Sequence, residues 1–129
     1  MVQLLKKVYT LRCRVLGEKH PKTITALSNL AFTLNDLGEL QAAVGLWGEV
    51  YRLRREVLGE RAELTPKALC DMARAYSRAG DGEKALALCG KVAESGADLT
   101  AKLIGMTAEL YEKHGRPEKA AELRARLPR

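Results

Sequence analysis

With 129 residues, the chain is long enough for one compact unit and too short for two comfortable domains. Hydrophobic residues make up 47% and charged residues 29%, so a packed core is expected, and the net charge of +6 favours acidic partners. The basic residues are spread along the chain with no aromatic-interleaved run, Cys13, Cys70 and Cys89 are odd in number without CxxC spacing, and no apolar run approaches the ~20 residues of a membrane span. Nucleic acid, a disulfide framework, a zinc site and a membrane are therefore not expected as the chain's business, and a reducing, cytoplasmic setting is.

In chain order, residues 2–16 predict an amphipathic helix with Leu4, Leu5, Val8, Leu11 and Val15 along one side, ending at Leu16-Gly17. The charges mixed into its stripe argue against a signal peptide. Pro21 suits a first helical turn, which predicts a helix from Pro21 to Leu37 stopped by Gly38. A second follows from Leu40 to Leu58, with Gly45 and Gly48 inside it at a propensity cost that a close helix approach would explain. Trp47 is its largest apolar side chain and should sit between helices.

Gly59 to Leu64 reads as a loop. Thr65-Pro66 reads as a cap and first-turn proline of a helix from Pro66 to Ala79. Gly80-Asp81-Gly82 turns the chain into a helix from Gly82 to Glu94, closed by Ser95-Gly96. Thr100 takes the place of Thr65 for a helix to His114. Gly115-Arg116-Pro117 starts a charged last helix from Pro117 to Leu127, which Pro128 ends.

The apolar pattern recurs. Leu27, Leu30, Ala31, Leu34, Gly38, Ala43, Trp47 and Val50 form the first copy. Leu69, Met72, Ala73, Tyr76, Gly80, Ala85, Cys89 and Val92 form the second, and Ile104, Ala108, Tyr111, Gly115, Ala120 and Leu127 the third. The turn glycines lie 42 and then 35 positions apart, and paired helices at that period mean a helical solenoid. The phrase YTLRCRVLGE from Tyr9 matches YRLRREVLGE from Tyr51, so the first helix is the second helix of a repeat whose first helix is missing. Either the chain is part of a longer array, favoured because capping helices carry a polar outer face, or this helix caps the array or pairs with another copy.

Counted from Ile24, the eight residues of the first copy fall on places 4, 7, 8, 11, 15, 20, 24 and 27 of the tetratricopeptide repeat, which the chain resembles over nearly its whole length. Residues 9–59, with Leu16, Gly17, His20, Pro21, Thr23, Leu27, Asn29, Leu30 and Ala31, resemble the 42-residue repeats of kinesin light chains and related scaffolds. The second copy departs from that subtype, with Asp71 where Asn29 stands. The third departs at Thr107 and Arg124, which implies looser packing or a solvent-facing terminal unit. The resemblance implies an all-α right-handed superhelix of about seven helices: residues 1–17 as a half repeat, then repeats at 18–59, 60–96 and 97–129.

Tetratricopeptide arrays bind extended peptides on a concave face lined by the first helix of each repeat. Carried onto this chain, that face presents Asn29, Phe32, Asn35 and Asp36, then Lys67, Asp71, Arg74 and Arg78, then Lys102, flanked by Thr25, Ser28, Cys70, Ser77, Gly105, Met106, Glu109 and Lys113. Lys67, Arg74, Arg78 and Lys102 make its centre basic, and arginine matches carboxylates bidentately. The expected activity is a non-catalytic scaffold for an acidic peptide, with no cofactor and no metal; the alternative is self-association through the first helix. The chaperone-binding subset's clamp corresponds to Ser28, Phe32, Asp71, Lys102 and Met106, of which only Lys102 agrees, so its ligand is not expected. His20 and His114 are far apart at helix ends, no nucleophile–base spacing appears, and GDGEK at 80–84 follows no strand, so it reads as a turn rather than a phosphate loop.

Overall fold

A computed structural model describes residues 1–95 and 99–127. Among them the chain forms seven helices and no strand: α1 (Val2–Leu16), α2 (Pro21–Asp36), α3 (Leu40–Leu58), α4 (Leu64–Arg78), α5 (Gly82–Glu94), α6 (Ala101–Lys113) and α7 (Pro117–Arg124). Gly96 and Pro128, expected to close α5 and α7, lie outside the described residues.

The three hairpin turns are built alike. Gly38, Gly80 and Gly115 have φ of 82°, 86° and 77°, the left-handed region where a side chain is strained. Each follows a helix whose final carbonyls it satisfies. The amides of Glu39, Asp81 and Arg116 donate to the carbonyls of Leu34, Tyr76 and Tyr111 at 2.9, 2.9 and 2.7 Å, and the glycine amides donate three residues back. This double bond is the Schellman motif, and its recurrence makes the repeat visible in the backbone.

Each helix packs on its chain neighbour, and α6 also touches α4. Two apolar clusters result. Ile24, Leu27, Ala31, Ala43, Trp47, Val50, Leu53, Ala68 and Met72 fill the space between α2, α3 and α4. Leu69, Cys70, Ala73, Ala85, Cys89, Val92, Ile104, Ala108, Tyr111, Ala120 and Leu123 fill the rest. Tyr51, Tyr76 and Leu88 pack against both, so the clusters are joined. Trp47 is fully buried, as its size required.

Several local expectations are corrected. Thr65 does not cap α4; it lies within the first turn, and its hydroxyl donates to the Gly59 carbonyl at 2.7 Å. Thr23, 42 positions earlier, does the same to the Arg12 carbonyl at 3.3 Å. Both threonines are buried, so each fastens the start of a repeat to the end of the preceding helix. Thr100, by contrast, is a true N-cap, accepting from the Leu103 amide at 3.2 Å. Asp81 and His20 cap α5 and α2 in the same way, the His20 Nδ1 accepting from Lys22 at 3.1 Å.

Thr107 faces neither solvent nor a gap: it is fully buried, because its hydroxyl is satisfied by the Leu103 carbonyl at 2.9 Å while its methyl packs. Arg124 does face solvent, paired with Glu112 at 2.7 Å. Gly45 meets nothing within 4 Å, so close approach does not explain it; Gly48 abuts Met72.

Candidate functional site

The face shared by α2, α4 and α6 centres on Asp71. This residue is only 3% exposed, in the middle of α4. Burial raises its pKa most strongly, against the pull of Lys67, Arg74 and Arg54. Lys67, one turn earlier, donates to Asp71 Oδ2 at 3.2 Å, and Arg74 Nη1 lies 3.8 Å from Oδ1. Arg54, buried in α3, gives its guanidinium to the Leu64 carbonyl at 3.2 Å and adds a third positive charge. One carboxylate thus sits among three cations, leaving the cluster net positive.

Lys67 links this cluster to α2. Its ammonium lies over the Phe32 ring, 5.2 Å from the centroid, and Phe32 meets Trp47 edge-to-face at 4.6 Å. Such contacts hold an aromatic and a cation together on a partly exposed face. Farther along, Arg78 donates to the Asn35 carbonyl, a second bridge between α2 and α4. On the other side, Lys67, Lys102, Met106, Leu103, Thr100 and Glu63 line a notch of about 20 Å³ between α4 and α6.

Of the nine residues expected on this face, Phe32, Lys67, Asp71 and Arg74 are brought into one contact chain, Lys102 lines the adjoining notch, and Arg78 pairs with Asn35. Asn29 and Asp36 are exposed beside them. Two features were not legible. Asp71 is interior, so its carboxylate positions Lys67 and Arg74 instead of presenting itself to solvent. Ser28, Cys70 and Ser77, on the same helices, are buried as well.

Ser77 Oγ shares a hydrogen bond of 2.8 Å with His114 Nε2, joining the ends of α4 and α6. Ser77 is 6% exposed, so this pair is a clasp between repeats rather than a nucleophile open to substrate. The cysteines are equally withdrawn: burial pushes the Cys70 thiol up to about 11 and the Cys89 thiol to about 12. No group of three metal-ligating side chains occurs among the described residues, and no described helix is long and apolar enough to cross a membrane.

The tetratricopeptide repeat family model matches residues 24–88, half of the chain, which covers the first full repeat and most of the second. The chain is a tetratricopeptide repeat protein. This fits the Schellman turns and the small residues Ala31, Ala43, Ala73 and Ala85, all fully buried where paired helices approach. Among solved structures, the nearly identical TPR-like repeats of a kinesin light chain-type protein from Podosopora anserina match with a TM-score of 0.74 at 24% identity, over 95% of this chain and 61% of that one. A single-residue variant of the same protein gives 0.75 at the same identity. BtubC (BKLC) from P. vanneervenii matches with a TM-score of 0.80 at 16% identity, over 97% of this chain and 53% of that one. The tetratricopeptide chain thus spans roughly half to three-fifths of these solved arrays, and shares their solenoid fold. No curated protein matches the sequence.

Proposed function

We propose that this tetratricopeptide repeat chain is a non-catalytic interaction module that binds an extended acidic peptide on the concave face lined by α2, α4 and α6. A general role in protein interaction follows from the repeat itself; the acidic ligand is the finer reading. The observation that carries it is the group of cations around Asp71: Lys67 and Arg74 outnumber the carboxylate they flank, and Lys102 stands exposed across the notch. Phe32 and Met106 supply apolar contact beside them. A peptide with carboxylates spaced to meet Arg74 and Lys102 would gain charge-assisted hydrogen bonds there, and Asn29 offers both a donor and an acceptor to its backbone.

The test is binding of a fluorescent acidic peptide library by anisotropy, in wild type and in Arg74→Glu/Lys102→Glu. Expected is selective binding of acidic over basic peptides, weakened about tenfold or more by the double charge reversal. Equal binding of acidic and basic peptides, or binding indifferent to the double variant, overturns the reading.

A further inference from the structure

Asp71 is held less well than its burial demands. An ionised carboxylate has about four acceptor sites on its two oxygens, and when it is buried they are ordinarily used. Here Oδ2 accepts one bond, from Lys67 at 3.2 Å, while Oδ1 is sealed from solvent without a hydrogen-bond partner among the described residues. Arg74 Nη1, at 3.8 Å, is near enough for charge attraction and too far for a hydrogen bond. Lys67 and Arg74 from α4 and Arg54 from α3 all favour its charged form, and burial outweighs them, raising the carboxyl above its ordinary value. The remaining neighbours of α4 bring little opposing charge. From α6, Lys102 reaches the notch that Lys67 and Glu63 also line. From α2 comes the uncharged Phe32, with Asp36 farther along beside Asn35 and Arg78. Cys70, next in the chain, and Cys89 from α5 are neutral thiols, pushed up to about 11 and about 12.

The two cations that Asp71 holds are the ones the groove offers to a ligand. The Arg74 side chain is 52% exposed, and Lys67 reaches the surface with its ammonium over Phe32. The buried acid and a ligand's acids therefore want the same partners. The corresponding place of the preceding repeat, 42 positions earlier, holds Asn29, a neutral amide of the same shape.

On the reading that this groove takes an acidic peptide, we propose that Asp71 is its built-in competitor. In the free chain its carboxylate occupies Lys67 and Arg74; a ligand carboxylate displaces it, and the released Asp71 carboxyl takes one proton from solvent. A lone ligand acid competes poorly with a carboxylate tethered beside the same cations at high effective concentration. A run of neighbouring acids competes well, because it also reaches Lys102. The ligand class is thus a peptide with clustered carboxylates. When Lys67 and Arg74 turn to the ligand, the buried carboxylate loses the charges that offset its desolvation, which drives the proton uptake. The bound state then holds more protons than the free state, so affinity rises as pH falls through the titration of Asp71.

The experiment uses the full chain and a fluorescent peptide with a run of cysteic acids, whose sulfonates stay charged from about pH 7.5 to about pH 5.5. Affinity is read by anisotropy, and protons taken up on binding by calorimetry in buffers of different ionisation heat. Expected is wild-type binding that tightens as pH falls and takes up protons. Asp71→Asn should bind about tenfold tighter than wild type at the upper pH, with that uptake lost. Both histidines are present in both forms, so the difference between them reports Asp71. Glu39→Gln, which removes the same charge at the α2–α3 turn, should change affinity by less than about twofold. Wild-type binding without proton uptake overturns the proposal with no variant needed. So does an Asp71→Asn that binds no tighter than wild type, takes up as many protons, or gains no more than Glu39→Gln. In each of those outcomes the acidic peptide still binds, so the groove reading stands; no binding to any form removes both.

Discussion

Replacing Gly82 by alanine tests the packing between the second and third repeats, because sequence and structure predict opposite signs. Gly82 opens α5, and on propensity alone alanine in a helix is better by up to about 1 kcal/mol. Its backbone needs no positive φ. The structure places a Cβ there 2.6 Å from His114 Nδ1 and 3.1 Å from Cε1, a separation real atoms do not tolerate. The ring must move, and moving it strains or breaks the 2.8 Å bond to Ser77, whose hydroxyl then lies buried without its partner. Losing a buried partner costs about 1–3 kcal/mol, so Gly82→Ala should destabilise by about 1–2 kcal/mol net of propensity. In a domain of this size that lowers the melting temperature by roughly 3–8 °C. The assay is thermal and urea unfolding of Gly82→Ala, His114→Ala and the double variant. With the ring gone, Gly82→Ala should become neutral or mildly stabilising. An equal cost in both backgrounds, or no cost in wild type, would refute the argument.

Gly45→Ala is the control: nothing lies within 4 Å of its added methyl, so it should stabilise by about 0.5–1 kcal/mol in the same melts. Trp47→Ala, at a fully buried site, should cost about 3–5 kcal/mol in urea unfolding; a loss below about 1 kcal/mol would contradict its burial. Thr65→Val removes the donor to the Gly59 carbonyl while keeping shape, and should cost about 1–2 kcal/mol, with faster amide exchange at the start of α4. At high pH the buried cysteines set the sign. Their folded pKa values of about 11 and about 12 lie above the unfolded thiol value, so the folded state holds its protons longer. Stability from this source is complete below about pH 9 and is lost as pH rises through the folded values. Alkaline melts should fall steeply over that window, and less so in Cys70→Ala/Cys89→Ala. A thiol reagent at pH 8 should label half-exposed Cys13 first; rapid labelling of Cys70 or Cys89 in the folded chain would show the core open.

The periodicity of Leu27, Leu30, Ala31 and Leu34, with Gly38, Gly80 and Gly115 at the breaks, was enough to determine the helices, their pairing and the repeat family. The reason is local: a 3.6-residue stripe and a glycine with positive φ act within a few residues, so the chain itself carries their signal. Helix limits read from sequence fall within one or two residues of those observed, except at α7, which ends at Arg124 where charge replaces the apolar stripe. Tertiary structure alone decided what the polar residues do. Asp71 reads as a surface acid in the place of Asn29, yet it is buried in α4 with Lys67 and Arg74 of the same helix as its ion-pair partners. Thr65 reads as a cap, yet its hydroxyl serves a carbonyl six residues back. Ser77 and His114, 37 positions apart, meet only because α4 and α6 lie side by side. The apolar side chains of α2 to α6 at helical spacing go mostly to the core, and that spacing announces the route. A polar side chain is settled by whichever partner the packed helices bring within hydrogen-bond reach, and no spacing along the chain encodes that.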